Sequence, residues 1–477
     1  MVLGTTSGAG KSWLTTALCR RYAAAGLKVA PFKAQNMSNN ARVVAGGEIG
    51  SAQYFQALAA RAVPDVRMNP VLLKPERDTA SQVVLMGRVD SALSRLPWRE
   101  RSAHVWPHVA ASLDALRAGH DVVVIEGAGS PAEINLQSSD IVNLRVARHG
   151  NARCLLVTDI DRGGAFAHLY GTWALMPEAD RPLLHGFVLN KFRGDAALLA
   201  PGPEMLQRMT GVPTVATLPM WWRHGLPEED GVFDDRPSLG PGNAGPVRRT
   251  IAVVAYPRVS NLDEYQALKN VEGVRLVWAR SPAELQGADW IVLPGSKHTS
   301  GDLAWMRSQG LDAAVTAHAA RGGPVLGICG GLQMLGEALV DAHGIDGNGP
   351  GLGLLPLVTS FAPEKTVRHT RAAFGTVRGI WSALSGVEMA GYEIHQGRTA
   401  ARADLSPAPQ PVLPAGLGWQ NAHGNVLGLY LHGMFEDPAV LRALFGASAP
   451  TLDSVFDGLA AAVERHFDEG VLDALVA

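Results

Sequence analysis

The sequence predicts an α/β protein made of two doubly wound domains, and three observations carry that prediction. First, short apolar runs recur: Asp121-Val-Val-Val-Ile125, Arg153-Cys-Leu-Leu-Val157, Gly186-Phe-Val-Leu189, Ile251-Ala-Val-Val-Ala255, Trp290-Ile-Val-Leu293 and Pro324-Val-Leu-Gly-Ile328. Continuous apolar strands of about five residues suit parallel sheets covered on both faces. Second, helical stretches separate them, such as residues 12–25 closed by Gly26, and strand–helix alternation indicates parallel sheets. Third, hydrophobic content collapses across 234–246, where Gly, Pro, Asp and Asn accumulate, and a new strand restarts at Ile251. This divides the chain into 1–233, a linker at 234–249, a second domain at 250–445 and a C-terminal helical tail at 446–477. A Pro-rich segment at 404–416 reads as an inserted loop. The linker contains Gly240-x-Gly242-x-x-Gly245, but that triplet follows no strand and is rejected as a dinucleotide fingerprint.

Composition narrows the class. The 477 residues carry 42 Lys+Arg and 44 Asp+Glu, a formal net charge of −2. Such balance argues against a nucleic-acid-coating protein, which needs clustered cations. The three cysteines, Cys19, Cys154 and Cys329, are far apart, so neither a disulfide framework nor a Cys-rich zinc site is expected. There is no apolar run long enough for a membrane span and no signal-peptide pattern. A cytoplasmic α/β enzyme with no membrane or nucleic-acid partner is expected. Several strands end in Gly, Asp or Asn, at Glu126-Gly127, Asp159, Asn190 and Pro294-Gly295. Ligands of open α/β sheets bind at those ends.

The N-terminus reads Gly4-Thr5-Thr6-Ser7-Gly8-Ala9-Gly10-Lys11-Ser12. The glycine spacing is one step longer than in a strict phosphate loop, but the Gly-Lys-Ser end is intact and opens a helix. Backbone N–H groups there can cradle phosphates, Lys11 can reach the terminal phosphates, and Ser12 can ligate Mg²⁺. Only Met1-Val2-Leu3 precede the loop, about 10 Å of extended chain. The long-spaced loop resembles the dethiobiotin-synthetase-like branch of phosphate-loop enzymes, whose members phosphorylate a carboxylate or carbamate. That resemblance implies an ATP site that includes Lys33, at the end of the second strand, and Asn190 as an adenine contact. Glu126, and with it Glu48 in Gly46-Gly-Glu-Ile-Gly50, are the acidic candidates for the metal.

In Pro324-Val-Leu-Gly-Ile-Cys329-Gly-Gly-Leu-Gln-Met-Leu335 a short strand meets a glycine-flanked Cys and then a helix. This is a nucleophile elbow, in which glycines permit a sharp turn that exposes the side chain at the sheet edge. Cys19 and Cys154 lie within apolar segments and read as core. The run closely resembles the nucleophile motif of class I glutamine amidotransferases, which release ammonia through a γ-glutamyl thioester. The resemblance implies Gly295 in the oxyanion hole and His432, in Gly428-Leu-Tyr-Leu-His432-Gly-Met-Phe-Glu436, as partner. Family members usually have His-Pro-Glu there, whereas Gly433 and Met434 follow here. The third triad member is open, with Glu393 or Glu436 able to substitute, or a Cys–His dyad. His423 reads as a surface turn.

An ATP-dependent carboxylate-activating half followed by a glutaminase implies an amide synthetase. Across its whole length the chain resembles the cobyric acid synthase family, most specifically in residues 31–40, 68–75, 126–135, 159–164, 189–195 and 391–397. The resemblance implies amidation of the b, d, e and g carboxylates of adenosylcobyrinic acid a,c-diamide. It implies ATP, Mg²⁺, glutamine and a corrinoid as partners, with no redox cofactor. Asn36, Asn39, Asp140, Glu393 and His395 are the candidate substrate contacts, though for Asp140 a helix cap is an equal rival. The a,c-diamide synthase is the alternative. Less favoured are a fused lipid II-amidating pair and a switch ATPase with an inert amidotransferase-like domain, the last opposed by an intact Cys329 and His432.

Overall fold

The computed structural model describes residues 1–77, 80–221, 224–227, 246–402, 408–446 and 451–477. Most of the expected linker, the rejected glycine triplet and the start of the Pro-rich segment lie outside them.

The first half is built on β1 (Val2–Gly4), α1 (Lys11–Ala24), β2 (Val29–Phe32), a hairpin of β3 (Ala41–Val44) and β4 (Gly47–Gly50), α2 (Ser51–Ala59), β5 (Val122–Ile125), β6 (Cys154–Asp159), β7 (Leu184–Phe192) and β8 (Thr214–Pro219). The parallel sheet runs β2-β5-β1-β6-β7-β8, with β5 joined to β1 by a bridge between Val2 and Glu126. β6 is buried along its whole length, which is why its sequence does not alternate. The phosphate loop, Lys33, Glu126, Asp159 and Asn190 all leave strands at one carboxyl edge.

The second half contains β9 (Arg249–Val254), β10 (Val274–Ala279), β11 (Trp290–Leu293), β12 (Val325–Ile328), α3 (Gly330–Leu335), β13 (Leu357–Ala373), β14 (Glu388–Ala401), β15 (Gln410–Leu413), β16 (Gly418–Gln420) and β17 (Val426–Leu429). Its seven-stranded sheet runs β10-β9-β11-β12-β17-β16-β15. The first five strands are parallel; β16 and β15 are antiparallel. Within this half, uniform strand–helix alternation is thus corrected in two places. β13 and β14 form a long antiparallel hairpin whose mixed burial leaves no continuous apolar run. The described part of the Pro-rich segment contains β15, an edge strand in which Pro411 needs no ladder N–H on its outer side.

Near the C-terminus, α4 (Leu452–His466) packs on α1 of the first half. Phe456, Leu459 and Val463 are buried with Leu14, Leu18 and Tyr22 in one cluster. Arg20 pairs with Asp453 at 3.0 Å and Asp457 at 2.7 Å. The chain end therefore completes the core of the first sheet. Phe456→Ala should destabilise the protein by about 3–5 kcal/mol, the usual cost of an aromatic-sized core cavity, read by denaturant unfolding.

Candidate active site

At the first sheet's edge, β1 hands the chain to the loop that ends in α1. Asn190 donates from Nδ2 to Ala9 O at 2.9 Å. A Cβ on Gly10 would lie 2.0 Å from that nitrogen, and Gly10 has φ +101°, so only glycine fits. Lys191 Nζ reaches Gly8 O at 2.8 Å and Asp159 at 3.1 Å. The end of β7 thus clamps the loop from outside. Lys11 Nζ curls over the loop to Thr6 O (2.9 Å) and Gly129 O (3.1 Å).

Glu126 gathers the surrounding polar groups. Ser12 Oγ donates to its Oε1 at 2.8 Å, Lys33 Nζ pairs with the same oxygen at 2.8 Å, and Gln56 Nε2 of α2 donates to Oε2 at 2.5 Å. Burial opposes the charge on Glu126, but the Lys33 cation outweighs it and the carboxyl is held below its usual range. A hydroxyl and an ionised carboxylate side by side are the hard oxygen donors that suit Mg²⁺. Glu48 is placed differently from expectation. Its oxygens go to Lys74 at 2.6 Å and to Lys365 from β13 of the second half. Burial works against its charge, yet Lys365 and then Lys74 hold it at about 2. Lys74, itself desolvated, is pulled down to about 7. Glu48 therefore ties the halves together rather than joining Ser12 and Glu126.

At the second sheet's edge, Cys329 has φ +53°, ψ −105°, a strained conformation of the kind held at functional turns. Its N–H donates to Leu429 O at 2.7 Å. A Cβ on Gly331 would meet Leu293 O at 1.9 Å, so the turn packs directly against the end of β11. Gly295 follows that strand, and a Cβ there would lie 2.9 Å from His432 Cε1. The predicted oxyanion glycine, Cys329 and His432 are thus brought together.

His432 has a definite carboxylate partner. His432 Nδ1 lies 2.9 Å from Glu264 Oε1, and Gly433 N–H donates to Glu264 Oε2 at 2.8 Å. Both His432 and Glu264 are buried. Proline at 433 could not donate that second bond, so Gly433, at φ +87°, is matched to a carboxylate from elsewhere in the chain. Burial opposes the imidazolium, but Glu264 and then Cys329 raise His432 to about 10. Glu393 and Glu436 are corrected as triad candidates. Glu393 is held by Arg368 at 2.6 Å and Thr370 at 2.6 Å, with His395 at 3.1 Å, and Glu436 faces Arg42.

Glu264→Gln should lower glutamine turnover by about 10²–10⁴-fold, as when the orienting carboxylate of a triad is neutralised. The sign of the pH effect follows from the raised His432: its proton is retained up to about pH 10, and removing Glu264 lowers that value. The alkaline limb of the glutaminase profile should move to lower pH, as measured by glutamate release.

The other candidates divide. Asn39, Lys74, Cys329, Gln333, Lys365 and His395 line one cleft between the halves. His395 stacks on Tyr430 at 4.0 Å. Asn39 Oδ1 is buried with no hydrogen-bond partner. Asn36 is buried on the short strand Gln35–Met37. Asp140 is corrected to a cap: it accepts from the N–H groups of Val142 (2.8 Å), Asn143 (2.9 Å) and Leu144 (2.8 Å). Cys19 and Cys154 are buried, and burial raises both thiols, Cys154 to about 11. His423 is exposed in a turn.

Comparison with known proteins follows the same division. Residues 1–230 match the model of a CobQ/CobB/MinD/ParA nucleotide binding domain, and residues 250–440 that of a CobB/CobQ-like glutamine amidotransferase domain. Cobyric acid synthase of Variovorax paradoxus (strain S110) is 76% identical over 477 residues, spanning 100% of this chain and 99% of its own. The chain belongs to the cobyric acid synthase family. Cobyric acid synthases of Polaromonas sp. (strain JS666) and Leptothrix cholodnii are 72% and 64% identical, each over 100% of this chain and 98% and 96% of their own. As a member of this family it is a glutamine-dependent ligase that uses ATP. Among the described residues no helix is long and apolar enough to cross a membrane.

Glu264, Gln56 and Arg42 escaped sequence reasoning. Glu264 precedes its histidine by 168 positions, whereas the family's His-Pro-Glu pattern puts the carboxylate two residues after the histidine. Its one local signal was an acidic pair, Asp263-Glu264, between apolar Leu262 and Tyr265.

Proposed function

We propose that this enzyme amidates the b, d, e and g carboxylates of adenosylcobyrinic acid a,c-diamide, consuming one ATP and one glutamine per amide. The observation that carries this reading is the pairing within one chain of a Cys329–His432–Glu264 triad with a phosphate loop facing Glu126. Full-length similarity to cobyric acid synthases supports the substrate.

In the glutaminase half, the Cys329 sulfur attacks the glutamine carboxamide, with Gly295 beside the developing oxyanion. His432 gives a proton to the departing ammonia, and Glu264 keeps its ring oriented and charged. Water then releases glutamate. In the synthetase half, a substrate carboxylate oxygen attacks the γ-phosphorus of ATP, ADP departs, and an acyl phosphate forms. Ammonia adds at the acyl carbon and phosphate leaves. Lys11 and Lys33 supply positive charge where phosphate charge develops, and catalysis there is mostly positioning. Ser12 and Glu126 would hold Mg²⁺, which supplies charge neutralisation on the phosphates. The cleft lined by Asn39 and Lys74 from one half and Cys329 and Lys365 from the other suits sheltered transfer, because ammonia released into water at pH 7 becomes non-nucleophilic ammonium.

The test is mass spectrometry of product formed from the a,c-diamide, ATP and glutamine. Stepwise conversion of all of the b, d, e and g carboxyls to carboxamides supports the reading. An unchanged corrinoid, or conversion of a different substrate only, refutes it.

A further inference from the structure

The segments that carry the triad contact a residue of the other half. Arg42 lies on β3 of the synthetase half and is buried. Its Nε donates to Asp263 Oδ2 at 3.0 Å and its Nη1 to Glu436 Oε2 at 2.6 Å, while Nη2 contacts both carboxylates. Asp263 adjoins Glu264, and Glu436 closes the turn that begins at Gly433. One guanidinium fork therefore fixes the two segments that supply Glu264 and His432. A third contact converges on the same ring. The Arg42 Cζ sits 5.0 Å from the Tyr392 centroid, and Tyr392 stacks on His432 at 5.2 Å with an interplanar angle of 19°. Tyr392 also exchanges backbone hydrogen bonds with His432. Neighbouring contacts seat the strand: Ala41 N–H donates to Asn261 Oδ1, and Leu262 N–H to Asn40 Oδ1, each at 3.0 Å.

Arg42 is also held from the ATP side. Its guanidinium lies 5.0 Å from the Phe55 ring on α2. The next residue of that helix, Gln56, donates to Glu126.

We infer that Arg42 is a positioning residue of the glutaminase, supplied by the synthetase half, and that glutamine is hydrolysed efficiently only while that half holds the triad in place. The inference rests on Cys329, His432 and Glu264 being the glutaminase triad. Removing the fork leaves buried Asp263 and half-buried Glu436 without their shared cation beside the Glu264 segment and frees the ring partner of His432.

The test uses the full chain and measures glutamate release and inactivation by the glutamine analogue 6-diazo-5-oxo-norleucine. For Arg42→Ala the expected result is a kcat lower by about 10–100-fold, with glutamine KM changed by less than about threefold, because the loss falls on alignment rather than on glutamine contacts. Arg42→Lys keeps the charge without the fork and should recover part of kcat. Should Arg42→Ala fail to fold, Arg42→Lys carries the comparison, with an expected loss of about 3–10-fold. Glu76→Gln removes a different interdomain pair, Glu76 with Lys297, and should stay within about twofold of the parent. An undiminished kcat in both Arg42 variants overturns the inference. So does an equal loss in Glu76→Gln, which would reduce Arg42 to general domain docking. Labelling separates this failure from that of the triad reading. A parent chain not modified at Cys329 sinks the triad, whereas a parent and an Arg42 variant modified at equal rates sink only Arg42.

Discussion

Cys329→Ala should abolish glutamine-dependent amidation while amidation supported by added ammonium salts persists. In the proposed mechanism the sulfur is the bond-forming atom of the glutaminase, so its loss removes covalent catalysis altogether; removing a nucleophile of this kind costs about 10⁶-fold in kcat. Cys329 stands at the edge of the second sheet, whereas Ser12 and Glu126 stand at the edge of the first. Ammonia supplied from solution does not need the triad. Rates are compared at pH 8 to 9, where a larger share of the ammonia is unprotonated. Loss of both activities with the fold intact would make Cys329 structural and separate the glutaminase from the elbow.

The second large effect is the converse. Lys11→Ala should abolish amidation with either nitrogen source and spare basal glutamine hydrolysis. Lys11 bonds the carbonyls of Thr6 and Gly129, which places its ammonium in the mouth of the loop that cradles phosphates in the proposed mechanism. Removing one preorganised electrostatic group from a developing charge costs about 10²–10³-fold, and a full cation in phosphoryl transfer belongs at or above that range. Product formation with ammonium as donor is the readout. Amidation that survives at parental rate would dissociate the phosphate loop from the chemistry.

The two variants probe features that were legible in the sequence to different degrees. The strands at Trp290–Leu293 and Val325–Ile328 and the helix after Gly10 were readable because parallel strands buried on both faces leave continuous apolar runs and the loop carries its own chemistry. Cys329, Gly295 and His432 were readable because each sits at a strand end with glycines that permit close approach. The long β13–β14 hairpin was not, since its half-exposed faces give no clean period. Glu264 was not, because its hydrogen bonds to His432 and Gly433 exist only after two segments distant in sequence meet. Glu48 illustrates the same limit. The acidic residue in Gly46-Gly-Glu-Ile-Gly50 of the phosphate-loop half is a metal candidate in sequence, yet its partners in the fold are lysines, one of them from the other half. For Asp140 the sequence leaves a cap and a substrate contact equally open, and in the fold its carboxylate caps the N–H groups of Val142, Asn143 and Leu144.

The central claim is that nitrogen freed at Cys329 is the nitrogen joined to the corrinoid. Incubating the enzyme with the a,c-diamide, ATP and glutamine labelled with ¹⁵N in its side-chain amide, in the presence of excess unlabelled ammonium at neutral pH, tests it most directly. Mass spectrometry should show ¹⁵N in essentially every amide formed. Product carrying mainly unlabelled nitrogen would contradict sheltered delivery from Cys329 to the activated carboxylate.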